Sequence, residues 1–180
     1  KEGEVTEATK EALPLGELEE IIKKVRHEIL EGTGMVLLKG FPVERLSSRE
    51  IAFFFWGVGL RLGKAVSQSV MGERLGHVID ATDTDPHARA YRNRTELTPH
   101  TDPTDILAFL CLYPGAVGGV SHFASSLSVY QEIKKNNPEV LKVLQDGFHY
   151  HRFGEQEPNC PEITPWRVPV FSESERKLSC

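Results

Sequence analysis

Apolar positions change their period several times along this chain, and each period predicts an element. Leu15, Leu18, Ile22, Val25 and Ile29 recur at spacings of three and four, which predicts a helix over 15–31 stopped by Gly32. Met35 to Leu38 is a short continuous apolar run, suited to a buried strand that ends in the Gly40-Phe41-Pro42 turn. Ser47 and Glu50 make the S-x-x-E of a capping box and open a helix through about Leu62. The core of that helix, Ile51 to Trp56, is apolar almost all round, so it should be well buried, and Phe53-Phe54-Phe55-Trp56 reads as core packing.

Lys64 to Asp80 suggests a hairpin turning near Met71-Gly72-Glu73-Arg74. Residues 81–95 are polar and without period, a long loop of the kind that is often functional, running into a strand at His100. Strands follow at about Asp105–Leu112 and Val120–Ala124, separated by Pro114-Gly115 and Gly118-Gly119 turns. Ser128–Lys134 and Pro138–Gln145 read as helices, the second with Asn137 as its cap, Pro138 at its first position and Gly147 after its end. Phe148–Phe153 is a strand, and Val168–Cys180 a hairpin over Ser172-Glu173-Ser174-Glu175. Helices come first and are interspersed, while strands dominate the middle and the end. That order predicts an α+β barrel or sandwich rather than alternating βαβ units.

Length adds that 180 residues suit a single domain, 1–180, able to bury about two-thirds of its unfolded surface. A net charge of −5, with no basic cluster longer than a pair such as Lys23-Lys24 or Lys134-Lys135, speaks against a nucleic-acid binder. No apolar run approaches the about 18 residues of a membrane span, and no signal peptide is visible, so a reducing cytoplasm is the expected setting. Cys111, Cys160 and Cys180 are far apart and odd in number, with no C-x-x-C, which indicates neither a disulfide framework nor a structural zinc site. Cys111, inside an apolar run, reads as a small core residue. The absence of an initial Met and of tail-like composition at Lys177-Leu178-Ser179-Cys180 suggests part of a longer protein.

The chemistry concentrates at Pro99-His100-Thr101-Asp102. On a strand, His100 and Asp102 would share one face. An imidazole and a carboxylate side by side supply two corners of the 2-His-1-carboxylate set that holds Fe(II) and leaves positions open. Alone, H-x-D is common at surface turns. Its context adds an apolar strand behind it, and the Gly118-Gly119 pair followed by Ser121, whose hydroxyl can meet a carboxylate.

Tyr91 through Asp102, Leu110-Cys111-Leu112, Gly118-Gly119-Val120-Ser121 and Ser125-Ser126 together resemble the TauD/TfdA family over roughly residues 34–180. The resemblance implies a double-stranded β-helix (jelly-roll) with flanking helices, incomplete at the C-terminus. It implies a non-haem Fe(II)- and 2-oxoglutarate-dependent dioxygenase that oxidises a small organic molecule with O2 and releases succinate and CO2. His100 and Asp102 would be metal ligands. Ser121 stands where the family has Thr, and would help hold the distal carboxylate of 2-oxoglutarate, having kept the hydroxyl and lost a methyl. The family's distal His and 2-oxoglutarate-pairing Arg would lie beyond Cys180, and no residue of this sequence is carried into those roles. The alternative from another class is a non-catalytic jelly-roll relative that binds a ligand or partner without turnover.

His149 and His151, on one face of a strand, are either in-chain substitutes for the distal ligand or histidines lining the barrel. Arg152 and Arg167 offer either a carboxylate partner or surface charge. Arg89, Arg92 and Arg94 in the long loop either meet an anionic substrate or form a solvated basic face. His122 follows Ser121 and points to the opposite side, His27 sits on an exposed helix face, and His77 and His87 have no ligand spacing. A zinc hydrolase is disfavoured by the lack of H-E-x-x-H or a His cluster. The substrate and the oligomeric state leave no mark on the sequence.

Overall fold

A computed structural model describes residues 2–68, 72–84, 92, 94, 96–102, 104–152, 156–174 and 177–180. The chain divides into two compact units, Lys1–Pro114 and Gly115–Cys180, each with its own core.

The first unit is built on helices α1 (Glu2–Thr6), α2 (Leu18–Glu31) and α3 (Ser48–Leu62), with a 3-10 turn at Val43–Arg45. Helix α2 forms where the three-four spacing placed it. Ile22 and Val25 face Val58 and Leu62 of α3, and Leu15, Ile29, Val36, Phe54 and Ile106 close around them. Helix α3 starts on the expected capping box. The Glu50 backbone N–H donates to the Ser47 hydroxyl at 3.3 Å, and the Ser47 N–H donates back to the Glu50 carboxylate at 2.8 Å. These bonds satisfy donors that the first helical turn leaves unpaired, and they hold the Glu50 carboxyl below its usual range. Trp56 is buried, its indole N–H donating to the Ala8 carbonyl at 2.9 Å, while Phe53, Phe54 and Phe55 are only half-buried. Arg61, 6% exposed, is fully engaged: Nε donates to Glu19 at 2.9 Å and Nη1 to the Gly57 carbonyl at 2.9 Å. A buried guanidinium needs such partners to offset its lost hydration.

Strands expected in this unit do not form. Met35–Leu38, the described part of 64–80, the segment at His100 and Asp105–Leu112 belong to no ladder among the described residues. A hairpin-like bond at 64–80 runs from the Gln68 N–H to the Glu73 carbonyl at 2.7 Å, and the expected turn residue Met71 lies outside the described residues. A strand requires a neighbouring backbone about 4.8 Å away to pair its N–H and C=O groups. β-Rich composition cannot supply that neighbour. Cys111 is exposed rather than a core residue, because the segment that carries it is covered on one side only.

In the second unit the expected strand at Val120–Ala124 is likewise irregular and exposed. Helices α4 (Ser126–Asn136) and α5 (Pro138–Asp146) follow. Ser125 caps α4, accepting from the Ser128 N–H at 3.3 Å. Asn137 stands at the start of α5 without a side-chain cap bond, and Pro138 opens the helix. Gly147 stops α5 with φ +75°, a conformation that an L side chain strains to adopt. Strands β1 (Phe148–His151) and β2 (Ile163–Val168) pair antiparallel, as do β3 (Ser172–Ser174) and β4 (Lys177–Ser179). Val168 thus closes β2 rather than opening the last hairpin, and Ser172-Glu173-Ser174 is a strand instead of a turn. Phe153 and Glu175, at the expected ends of strand and turn, lie outside the described residues. Tyr130, Leu141 and Phe171 form the core, with Tyr130 and Phe171 edge to face and the Tyr130 hydroxyl bonded to Glu173. The architecture is α+β. Its described strands make two separate two-stranded ribbons rather than a closed double-stranded β-helix.

Candidate metal centre

His100 and Asp102 come together without the strand expected to align them. His100 Nε2 lies 3.8 Å from Asp102 Oδ1, and the side chains are 50% and 42% exposed. The opposite ring nitrogen, Nδ1, is 2.7 Å from the Thr98 carbonyl. A carbonyl only accepts, so Nδ1 carries a proton, and Nε2 is the nitrogen turned toward Asp102. The two side chains would supply an N/O donor pair of the kind that suits Fe(II). Among the described residues, no group of three or more His, Cys, Asp or Glu side chains gathers to hold a metal.

The loop before this pair is tied at its stem. Arg94 Nε donates to Asp80 at 2.6 Å and Nη2 to Asp83 at 3.0 Å, while the Ala81 N–H donates to the Arg92 carbonyl at 2.8 Å. The Thr82 hydroxyl, then the Arg94 guanidinium and the Thr82 N–H, hold the Asp80 carboxyl down at about 2. Neither sequence reading of Arg94 anticipated this use, for its charge is spent on two carboxylates. Arg92 is half-buried, and its Nε has no hydrogen-bond partner among the described residues. Arg89, His87, Tyr91, Asn93 and Thr95 lie outside the described residues. An ion pair spanning fourteen positions leaves no periodic signal; only the acidic run Asp80, Asp83, Asp85 followed in sequence by Arg92 and Arg94 hinted at it.

Ser121 belongs to the second unit, exposed, after Gly118 and Gly119 at φ +74° and +72°. Two successive positive φ angles explain the glycine pair: the turn delivering Ser121 is one that side-chain-bearing residues resist. His122 is exposed as well.

His149 and His151 lie on β1, but the ladder is interrupted between them. The Tyr150 N–H donates to the Thr164 hydroxyl at 2.8 Å, a side-chain acceptor inside the irregular stretch of the ladder. The extra residues lie on β2, where Ile163 to Arg167 stand opposite His149 to His151, so the irregularity is in the partner strand. His149 Nδ1 is bound to the Thr164 carbonyl at 2.7 Å, and His151 Nε2 faces Glu162 at 3.1 Å. Arg152 stacks over Trp166, 5.5 Å from the ring centre, and Arg167 pairs across the ladder with His149.

With this geometry in hand, comparison with known proteins is specific. The family model described as "Taurine catabolism dioxygenase TauD, TfdA family" matches residues 4–178. FR-33289 synthase of Streptomyces rubellomurinus is 30% identical across 98% of this chain and 52% of its own length. A taurine hydroxylase-like protein of Stachybotrys chartarum is 25% identical across 94% of this chain and 45% of its own. The chain spans about half the length of the curated relatives it matches.

Proposed function

From the premise that this chain belongs to the TauD, TfdA family, whose members are generally Fe(II)- and 2-oxoglutarate-dependent, we propose that it carries the primary iron-binding pair of such a dioxygenase. The protein would oxidise a small organic molecule, with O2 consumed and succinate and CO2 released. The observation that carries this reading is the His100–Asp102 pair, with Thr98 fixing the tautomer that leaves Nε2 free to ligate.

His100 and Asp102 would hold Fe(II), the carboxylate offsetting one of its charges. Bound iron together with 2-oxoglutarate supplies the oxidising chemistry. The chain's own share is orientation. The Thr98 carbonyl fixes the His100 ring, and the Arg94 clasp holds the loop stem that leads into it. Ser121 would donate its hydroxyl to a carboxylate of 2-oxoglutarate. No third ligand gathers among the described residues, and the distal His and carboxylate-pairing Arg that the family implies would complete the set.

The test is anaerobic titration of full-length protein with Fe(II) and then 2-oxoglutarate, followed by visible absorption. A weak charge-transfer band that is lost in Asp102→Ala and His100→Ala supports the reading. Iron uptake unchanged in both variants would overturn it.

A further inference from the structure

The N-terminal segment is tied to α3 by side chains that reach its backbone from far along the sequence. The Trp56 indole N–H donates to the Ala8 carbonyl at 2.9 Å, and Arg61 Nη2 donates to the Lys10 carbonyl at 3.3 Å. Leu13 lies over Gly57, where an added Cβ would stand 3.4 Å from the leucine Cβ. Trp56, Gly57 and Arg61 lie outside the Phe54–Val58–Leu62 stripe that packs with α2. Val5 and Trp56 are both buried, again outside the α2–α3 cluster. The Arg49–Glu4 ion pair at the start of the segment is exposed and adds little. Helix α1 cannot hold itself, for its five residues are well under the about 12–15 that an isolated helix needs.

We propose that residues 4–13 are a strap that leaves α3 and returns as one unit while the α2–α3 core stays folded. The bonds of Arg61 make this separation cheap. On release it gives up the Lys10 carbonyl alone. Its Nε stays on Glu19 of α2 at 2.9 Å and its Nη1 on the Gly57 carbonyl at 2.9 Å, so the buried guanidinium keeps partners. Helix α1 loses its support when the strap lifts, so a half-released strap keeps few of its bonds. Leu15 packs on the α2–α3 cluster and stays behind, which puts the turning point between Leu13 and Leu15. Release uncovers the Trp56 side of α3. The inference does not depend on iron or on turnover.

Trypsin cleavage after Lys10 reports the release, because the carbonyl of that peptide bond is the one Arg61 holds. The full-length protein is digested lightly across a urea series, and cleavage after Lys10 and after Lys24 of α2 is followed by mass spectrometry. Release predicts that Lys10 is cut more slowly than in the unfolded chain, yet at least about 10-fold faster than Lys24. Its rate should also depend less on urea, since a small opening exposes little surface. Trp56→Phe, which loses the bond to Ala8, should speed cleavage at Lys10 about 3–10-fold, the range for one hydrogen bond, and leave Lys24 unchanged. Equal rates at the two sites with equal urea dependence overturn the proposal, since the segment then opens only with the core. So does a native Lys10 cut as fast as in the unfolded chain. Should Trp56→Phe fail to fold, the wild-type urea series decides alone.

Discussion

The Nδ1 atom of His100 donates to the Thr98 carbonyl at 2.7 Å, and this bond decides which nitrogen of the ring can act as a ligand. It comes from backbone two residues earlier, so no side-chain substitution at Thr98 removes it. Ring orientation is thereby a property of the local chain path. Substitution of the ligands themselves should act on iron directly. Asp102→Ala removes a charged donor and should weaken Fe(II) binding by more than the about 10-fold typical of losing a mere supporting contact to a ligand. Calorimetric titration of Fe(II) under argon measures it.

Ser121→Ala should weaken 2-oxoglutarate binding to the full-length protein by about 1.5–3 kcal/mol, the range for a hydrogen bond to a charged group. Ser121→Thr, which keeps the hydroxyl, should bind as wild type. Equal affinity of the alanine variant would reduce Ser121 to an element of the glycine turn.

The loop clasp carries its own pH signature. Asp80 titrates at about 2 in the folded chain against an ordinary 3.8, so the folded state favours its ionised form. The resulting stabilisation is present above about pH 4 and is lost as pH falls through about 2. Carboxyl carbon NMR should find the Asp80 midpoint near 2. In Arg94→Ala the midpoint should rise, but not fully, because the Thr82 hydroxyl and N–H remain. The stabilities of wild type and Asp80→Asn should converge at the acid end.

Gly147→Ala should be the most damaging single substitution in the second unit. At φ +75° an L residue is strained, and its Cβ would stand 2.4 Å from the Val168 carbonyl oxygen, which is backbone and has no room to give. Strain and overlap together should cost roughly 2–5 kcal/mol, read as a shift in the urea midpoint.

Helices were legible in the sequence because their signals are local. The Ser47–Glu50 box, the spacing of Leu18, Ile22, Val25 and Ile29, and Gly147 each act within one or two turns. The strands were legible only in part: β1 formed within the expected Phe148–Phe153, whereas Met35–Leu38 and Asp105–Leu112 join no ladder among the described residues, because they need a partner backbone that composition cannot name. Strand β2 and its pairing with β1 were not expected at all, and the irregular register between His149 and His151 leaves no mark in their spacing. Of the candidate site, the H-x-D spacing singled out His100 and Asp102, but the strand assumed to align them does not form. The Thr98 carbonyl that sets the His100 tautomer and the Asp80–Arg94–Asp83 clasp depend on chain path, and chain path is not written in residue type.

The two tryptophans divide between the two units. Trp56 is 4% exposed with its indole N–H held by the Ala8 carbonyl, whereas Trp166 is 58% exposed beneath the Arg152 guanidinium. Their surroundings differ enough for their emission to separate by colour: blue from the apolar site around Trp56, red from the hydrated face at Trp166. The chain therefore contains one tryptophan in each unit. Trp166→Phe and Trp56→Phe proteins would let the helical unit and the ribbon unit be followed singly through denaturant, without an added dye.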